Sequence, residues 1–180
     1  MIDAGSGLVT LQPLTASDVE SAAVLWADPA VIRFTRVERP CTREEAAERL
    51  ELLLRGQRRL PVPTVFSVQW EGRFCGLAGC PPVDGEEHVF GLFYQLLPAF
   101  WGLGAGRTAA GRTLAALARL EREATVRADT AAENLASVRI LEGLGFRRTA
   151  VHSGALVRDG TCWDVWDYML RLNGREEECL

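Results

Sequence analysis

The segment from Leu96 to Thr108, Leu-Leu-Pro-Ala-Phe-Trp-Gly-Leu-Gly-Ala-Gly-Arg-Thr, constrains this chain more than any other. An apolar, strand-like run stops at Pro98, glycines fall at positions 102, 104 and 106, and a helix-forming run follows without a break. Glycine lets a backbone approach a ligand closely, and the first amides of a helix have no internal acceptor. Together with the positive end of the helix dipole, such amides form an anion site suited to a pyrophosphate. Arg107, in the first helical turn, adds a positive charge able to pair with a phosphate. The loop is not a Walker loop, because no Gly-Lys-Ser/Thr follows, and glycines on alternate positions do not meet the dinucleotide pattern GxGxxG. In isolation, a plain glycine-rich turn accounts for it equally well.

The flanking sequence supplies a scaffold. Leu8–Leu14 alternates like a strand, and Thr15 or Ser17 caps a helix through Trp26 that Asp28-Pro29 stops. Thr42 and Glu45 form a capping box for a helix with Ala46, Leu50, Leu53 and Leu54 on one stripe and Gly56 beyond its end. From Val62 the period changes to two. Two strands joined at Glu71-Gly72 are followed by a break at Asp84-Gly85 and a third strand, His88–Leu97. A helix from Arg107 to the region of Glu123 turns Ala110, Leu114 and Leu117 to one face. A short strand, Ala124–Thr130, leads to a helix from Asn134 to Leu144 that Gly145 ends. Strands over 146–157 and 161–172, joined at Arg158-Asp159-Gly160, finish the order. It predicts an α+β (mixed α/β) fold: a mostly antiparallel twisted sheet of about seven strands flanked by about four helices. No linker divides the 180 residues, so they read as one domain, with 1–7 and 174–180 as flexible tails.

Composition narrows the partners. Hydrophobic residues make up 48% and charged residues 24%, the balance of a globular protein and not of a disordered one. All 20 basic residues are arginine, and against 24 acidic residues they leave a net charge of −4, which speaks against a sequence-independent nucleic-acid binder. No apolar run approaches the ~20 residues that span a bilayer, and Met1–Thr10 lacks the basic and apolar regions of a secretory leader. The cysteines, 5 in number and scattered, indicate a reduced cytoplasmic protein. Cys75, Cys80 and Cys162 form no CxxC pair, and neither His88 nor His152 stands at ligand spacing to them, so no metal is expected. The aromatic-rich strand near Trp163–Trp166 is an expected exposed edge through which a homodimer can form.

Two motifs carry a family resemblance. Tyr94-Gln-Leu-Leu-Pro-Ala-Phe-Trp-Gly-Leu-Gly-Ala-Gly106 resembles the acetyl-CoA loop of the GCN5-related N-acetyltransferase (GNAT) superfamily. It is closest to the branch of ribosomal-protein N-terminal acetyltransferases (RimJ/RimL-like). Gly104 and Gly106 match the last places of the superfamily pattern Arg/Gln-x-x-Gly-x-Gly/Ala, with Trp101 at the Arg/Gln place. Downstream, Asn134, Ser137, Gly145 and Phe146 match the branch's Asn-x-x-Ser…Gly-Phe segment, and the element order agrees from Leu8 to Leu172.

The resemblance implies an acetyl-CoA-dependent N-acetyltransferase. The strand before the glycine loop and the strand Ala124–Thr130 would splay apart, and the pantetheine arm would pair with backbone near Leu96 and Leu97. The diphosphate would sit on the amides of Trp101, Gly102, Leu103, Gly104, Ala105, Gly106 and Arg107. Asn134 would bond the pantetheine arm or a strand carbonyl, while also reading as the N-cap of its own helix. A primary amine, a protein N-terminus or a small molecule, attacks the thioester directly in a ternary complex. Ser137 is the implied acid near the sulfur; Leu141 occupies the place of the more usual tyrosine. The two places where the branch carries a basic carboxylate hold Gly91 and Leu156, which leaves Glu87, His88 and His152 as substitute bases in the cleft. Loss of both carboxylates also fits an alternative, a non-catalytic acyl-CoA sensor. Trp26 and Phe34 would wall the acceptor side.

Overall fold

The computed structural model describes residues 9–121 and 123–173; Leu8 and both expected tails lie outside them. Strands β1 (Val9–Pro13), β2 (Val65–Trp70) and β3 (Arg73–Gly79) form an antiparallel sheet, which β5 (Phe93–Leu96) completes in the order β1-β2-β3-β5. A second sheet has the order β4-β6-β8-β7, from β4 (Val89–Gly91), β6 (Glu123–Ala131), β8 (Thr161–Asn173) and β7 (Arg147–Arg158). Within it β4 and β6 are parallel and the other neighbours antiparallel. Both tight hairpins use the residues their turns demand. Glu71 and Gly72 have φ of 49° and 76°, and Asp159 and Gly160 have 49° and 74°, the left-handed pair that matches the twist of the flanking strands.

Helix starts follow the polar caps. Thr15 and Asp18 close a capping box over a short 3₁₀ turn that leads into α1 (Val19–Ala27). Asp28, in an extended conformation, ends α1, and its side chain accepts the Ala30 N–H at 2.8 Å to begin the single turn α2 (Pro29–Ile32). In α3 (Arg43–Gln57) the Thr42 hydroxyl accepts the Glu45 N–H and the Glu45 carboxylate accepts the Thr42 N–H, at 3.2 and 2.8 Å. That helix continues one residue past Gly56. Helices α1 and α3 bury Leu25, Leu50 and Leu54 against Val65 and Leu77 of the first sheet. Helices α4 (Ala105–Leu120) and α5 (Leu135–Gly143) pack Leu114, Leu117 and Leu141 against Val126 and Tyr168 of the second. Each such leucine contributes ~1.5–3 kcal/mol on burial, and α4 also packs Ala105 and Ala109 against Val9, Val68 and Leu96 of the first sheet, so it bridges the two.

Three expectations change. The run His88–Leu97 is not one strand but two, β4 on the second sheet and β5 on the first, which raises the strand count to eight. Period-two alternation is the same on either sheet, so it could not show the change of partner. The Leu92 N–H donates to the Arg127 carbonyl at 2.8 Å, the last tie to β6, and the Leu97 N–H then donates to the Cys75 carbonyl of β3 at 2.8 Å. Past Leu92, β5 and β6 diverge. Helix α4 begins at Ala105, two residues before the expected start. Strand β8 is no edge: β6 and β7 flank it, Trp163 stacks edge-on against Phe34 (centroids 5.2 Å apart) and Trp166 lies under Arg148. The aromatic residues there are spent within the chain, so β8 is not the exposed edge expected for a dimer.

Candidate active site

The divergence of β5 and β6 opens a cleft of about 580 Å³. Its floor is the edge of β5. Because Leu97 pairs with Cys75 on β3, the alternation of an antiparallel ladder turns the backbone groups of Tyr94 and Leu96 to the other side, toward the gap. One end is the glycine loop and the start of α4, one wall is the first turn of α5, and the far end is formed by α2 with Phe34, Thr35 and Arg36.

The loop end has the geometry that can hold an anion. Gly102 and Gly104 have φ of 74° and 80°, conformations that cost a side-chain-bearing residue about 1 kcal/mol, and a Cβ on either would project into open space. The first helical bond runs from the Thr108 N–H to the Gly104 carbonyl at 3.0 Å, so the N–H groups of Ala105, Gly106 and Arg107 precede the ladder. Leu96, Trp101, Gly102, Gly104, Gly106, Arg107, Asn134 and Ser137 line the cleft; Leu97, Leu103 and Ala105 do not.

Several of these residues are engaged otherwise than the motif reading has it. Leu97 donates to Cys75 and accepts the Phe100 N–H (3.0 Å), so neither of its backbone groups is turned to the gap. The Trp101 N–H is held by the Pro98 carbonyl at 3.1 Å, and its indole N–H is donated to the Leu96 carbonyl at 2.7 Å. The tryptophan ring thereby fixes the loop to β5, and the amides that could face an anion begin after it. The Arg107 guanidinium donates to the Gly143 carbonyl at 3.2 Å, at the negative end of α5. Asn134 caps α5 through its carboxamide oxygen, which accepts the Ser137 N–H at 3.3 Å; the carboxamide nitrogen takes no part in that cap.

Ser137 has a partner that sequence reasoning did not assign. The Tyr94 hydroxyl lies 2.7 Å from the Ser137 Oγ, joining β5 to α5 across the cleft. Burial pushes the Tyr94 phenol up to about 12, against a smaller opposing effect of the Ser137 hydrogen bond. In neutral solution Tyr94 therefore keeps its proton; its hydroxyl reaches both the Ser137 Oγ, where either oxygen can donate, and the Ser137 carbonyl at 3.3 Å.

The three substitute bases stand elsewhere. Glu87 and His88 lie in a separate depression with Glu123 and Arg171, and the His88 ring bonds the Glu121 carboxylate at 2.9 Å. They precede β4 at the end of that strand opposite the divergence, which is why they do not reach the cleft. His152, on β7, bonds the Asp167 carboxylate of β8 at 2.7 Å and is not among the lining residues. Trp26 is buried behind the cleft, where its indole N–H holds the Gln95 side chain at 2.7 Å, while Phe34 is part of the wall. Asp129, on β6, is the only carboxylate among the described residues that line the cleft. Its one sequence signal is a polar place in an alternating strand. Cys75 and Cys80 are buried free thiols pushed up by desolvation, and among the described residues no group of His, Cys, Asp or Glu is arranged to hold a metal. No helix among the described residues is long and apolar enough to cross a membrane.

Known structures share this architecture. The ribosomal L7/L12 α-N-protein acetyltransferase RimL, in complex with coenzyme A, superposes with a TM-score of 0.80 at 16% identity, covering 97% of this chain and 99% of its own. A phosphinothricin acetyltransferase from Sinorhizobium meliloti in complex with acetyl-CoA gives a TM-score of 0.78 at 18% identity, over 92% of this chain and 89% of its own. The acetyltransferase YncA from Salmonella typhimurium, described as putative and holding acetyl-CoA, gives 0.76 at 22%, over 96% and 99%. These likenesses establish the fold. By sequence, no curated protein matches the chain. The profile of the acetyltransferase (GNAT) domain matches residues 9–147, most of the chain and both arms of the cleft, and the protein is thus a member of the GNAT acetyltransferase family.

Proposed function

We propose that the chain binds acetyl-CoA in the cleft and transfers the acetyl group to a primary amine, of a protein N-terminus or a small molecule, by direct attack in a ternary complex. The observation that carries this reading is the divergence of β5 from β6 over the uncapped start of α4. A gap with one free strand edge suits an amide-bearing arm, and unladdered amides at a helix N-terminus suit a diphosphate. Tyr94 and Leu96 would offer backbone to the pantetheine arm. Gly102, Leu103, Gly104, Ala105, Gly106 and Arg107 would hold the diphosphate through main-chain N–H groups, and Asn134 would donate from its carboxamide nitrogen. Ser137, hydrogen-bonded to the Tyr94 hydroxyl through its Oγ, would turn its own hydrogen to the sulfur as the thiolate leaves, with Tyr94 then donating to the Oγ. The whole chain acts as one acyltransferase domain, in the cytoplasm.

The test is titration calorimetry with acetyl-CoA, paired with thiol release over a panel of peptides beginning with Ser or Ala and small primary amines. Saturable binding with amine-dependent thiol release is the expected result; absence of binding overturns the reading. Gly91 and Leu156, standing where basic carboxylates are expected, favour a second reading as an acyl-CoA sensor. Tight binding with no thiol release on any amine is the result that would establish it.

A further inference from the structure

An ammonium with a pKa near ~10 must lose a proton before its nitrogen can attack a thioester. Position 91, where the resemblance expects the carboxylate that takes it, is glycine. On the sheet, Gly91 of β4 lies directly beside Arg127 of β6. Two residues further along β6, on the same face, stands Asp129. Arg127 and Asp129 are exposed, whereas Val126, Ala128 and Thr130 between and beside them are buried, which fixes that face. The Arg127 guanidinium is taken up by Glu86 through two bonds of 2.8 and 2.7 Å. Asp129 is free of that pair and lines the cleft at its acceptor end, beside Thr35 and Arg36 of the α2 segment.

We infer that Asp129 is the general base of the transfer, the carboxylate having shifted from β4 to the neighbouring strand on the same sheet face. The inference rests on the acetyl-transfer reading above. Asp129 is half exposed, its side chain 51% accessible, so it can pass a proton to water, and Arg36 is its contact at 3.5 Å. That contact is long and the arginine 85% accessible, which leaves a carboxylate oxygen for the incoming ammonium. Beside it on β8, Asp167 is bonded by His152, so the second carboxylate of this face already has a partner. The Arg158 guanidinium, donating to the carbonyls of Ile32 and Thr35 at 3.2 and 2.9 Å, ties the segment carrying Arg36 to β7 and keeps that end of the cleft in place. In the reaction the C–N bond forms and the C–S bond breaks. Of the two protons the ammonium gives up, one passes through Asp129 to water and the other ends on the thiolate sulfur, whose hydrogen Ser137 supplies and then regains.

The experiment compares wild type, Asp129→Asn and the double variant Asp129→Asn with Gly91→Glu, using a peptide beginning with Ser, one beginning with Ala, and free amino acids. Asp129→Asn is expected to lower kcat/KM by about 10²–10⁴-fold, the usual contribution of a general base, while the acetyl-CoA Kd stays within about threefold. A Cβ at Gly91 meets nothing within 4 Å, so glutamate fits there, and the double variant is expected to recover at least about tenfold of the lost rate. A rescue of this kind is not produced by a merely structural role for Asp129. A single variant within about threefold of wild type, or a double variant as slow as the single, overturns the assignment and leaves acetyl transfer standing. Binding without turnover in the wild type overturns both, because no reaction then remains for a base to serve.

Discussion

Replacing Gly76 by alanine tests how the cleft is kept open. Gly76 lies opposite Leu96 in the β3–β5 ladder, and a Cβ built on it meets the Gln95 carbonyl oxygen at 2.1 Å and the Leu96 Cα at 2.8 Å. Both are backbone atoms and cannot rotate away. To restore ordinary contact near ~3.4 Å, β5 must retreat by about 1.3 Å, and the side away from β3 is the cleft. Overpacking of this kind costs ~1–3 kcal/mol, and loss of the adjoining ladder bond adds ~1 kcal/mol. Together these give about 2–4 kcal/mol, or roughly 5–15 °C in Tm for a chain of this size. The same retreat narrows the gap, so acetyl-CoA affinity is expected to fall at least about tenfold, or ~1.4 kcal/mol. Differential scanning fluorimetry and calorimetry of Gly76→Ala read the two effects. A Tm within about 2 °C of wild type would refute the argument, because the strands could not then be this close.

Three further substitutions separate fold from chemistry. Gly104→Asp supplies a preferred N-cap at a left-handed position that aspartate tolerates, yet sets a negative charge before the unladdered amides; Tm should hold within ~3 °C while acetyl-CoA affinity falls about 10–100-fold. Ser137→Ala should lower kcat about 10–100-fold with the acetyl-CoA Kd within about threefold, measured by steady-state thiol release and calorimetry. Tyr94→Phe removes a hydrogen bond worth ~1 kcal/mol near neutrality. Because the folded Tyr94 titrates at about 12, above the ~10 of an unfolded tyrosine, its contribution is complete below pH ~10 and is lost as pH rises toward 12. Urea unfolding of wild type should thus weaken by ~2–3 kcal/mol more than that of Tyr94→Phe across this window; parallel curves would remove Tyr94 as a buried phenol.

What the sequence disclosed was local. The capping box at Thr42 and Glu45, the turns at Glu71-Gly72 and Asp159-Gly160, and the glycine loop before α4 each depend on residues within a few places of one another, and each could be read directly. The split of Val89–Leu96 between two sheets could not, because an apolar run alternates in the same way whichever neighbour it has. The same limit hid the interior place of β8, which is decided by strands more than a turn away in sequence. At the site, Tyr94 and Ser137 are 43 residues apart and meet only through the fold. Glu87 and His88 precede the right strand but stand at its wrong end, a distinction of direction along β4 that spacing does not contain. In sequence Asp129 is one more polar residue of an alternating strand, and only the fold brings it to the cleft with Thr35 and Arg36.

The hand-over at Leu92 has a consequence for how such proteins diverge. A cavity hollowed between side chains closes or reshapes whenever those side chains are exchanged. Here the opening arises where one stretch of main chain leaves one set of partners for another, so its existence is a matter of chain routing. Residues on its margins can then drift, and a chain only 16% identical to RimL can trace nearly the same path, at a TM-score of 0.80. On the acetyl-transfer reading proposed above, selectivity for the amine would be free to change at the α2 end while the place for acetyl-CoA would be kept by the chain routing.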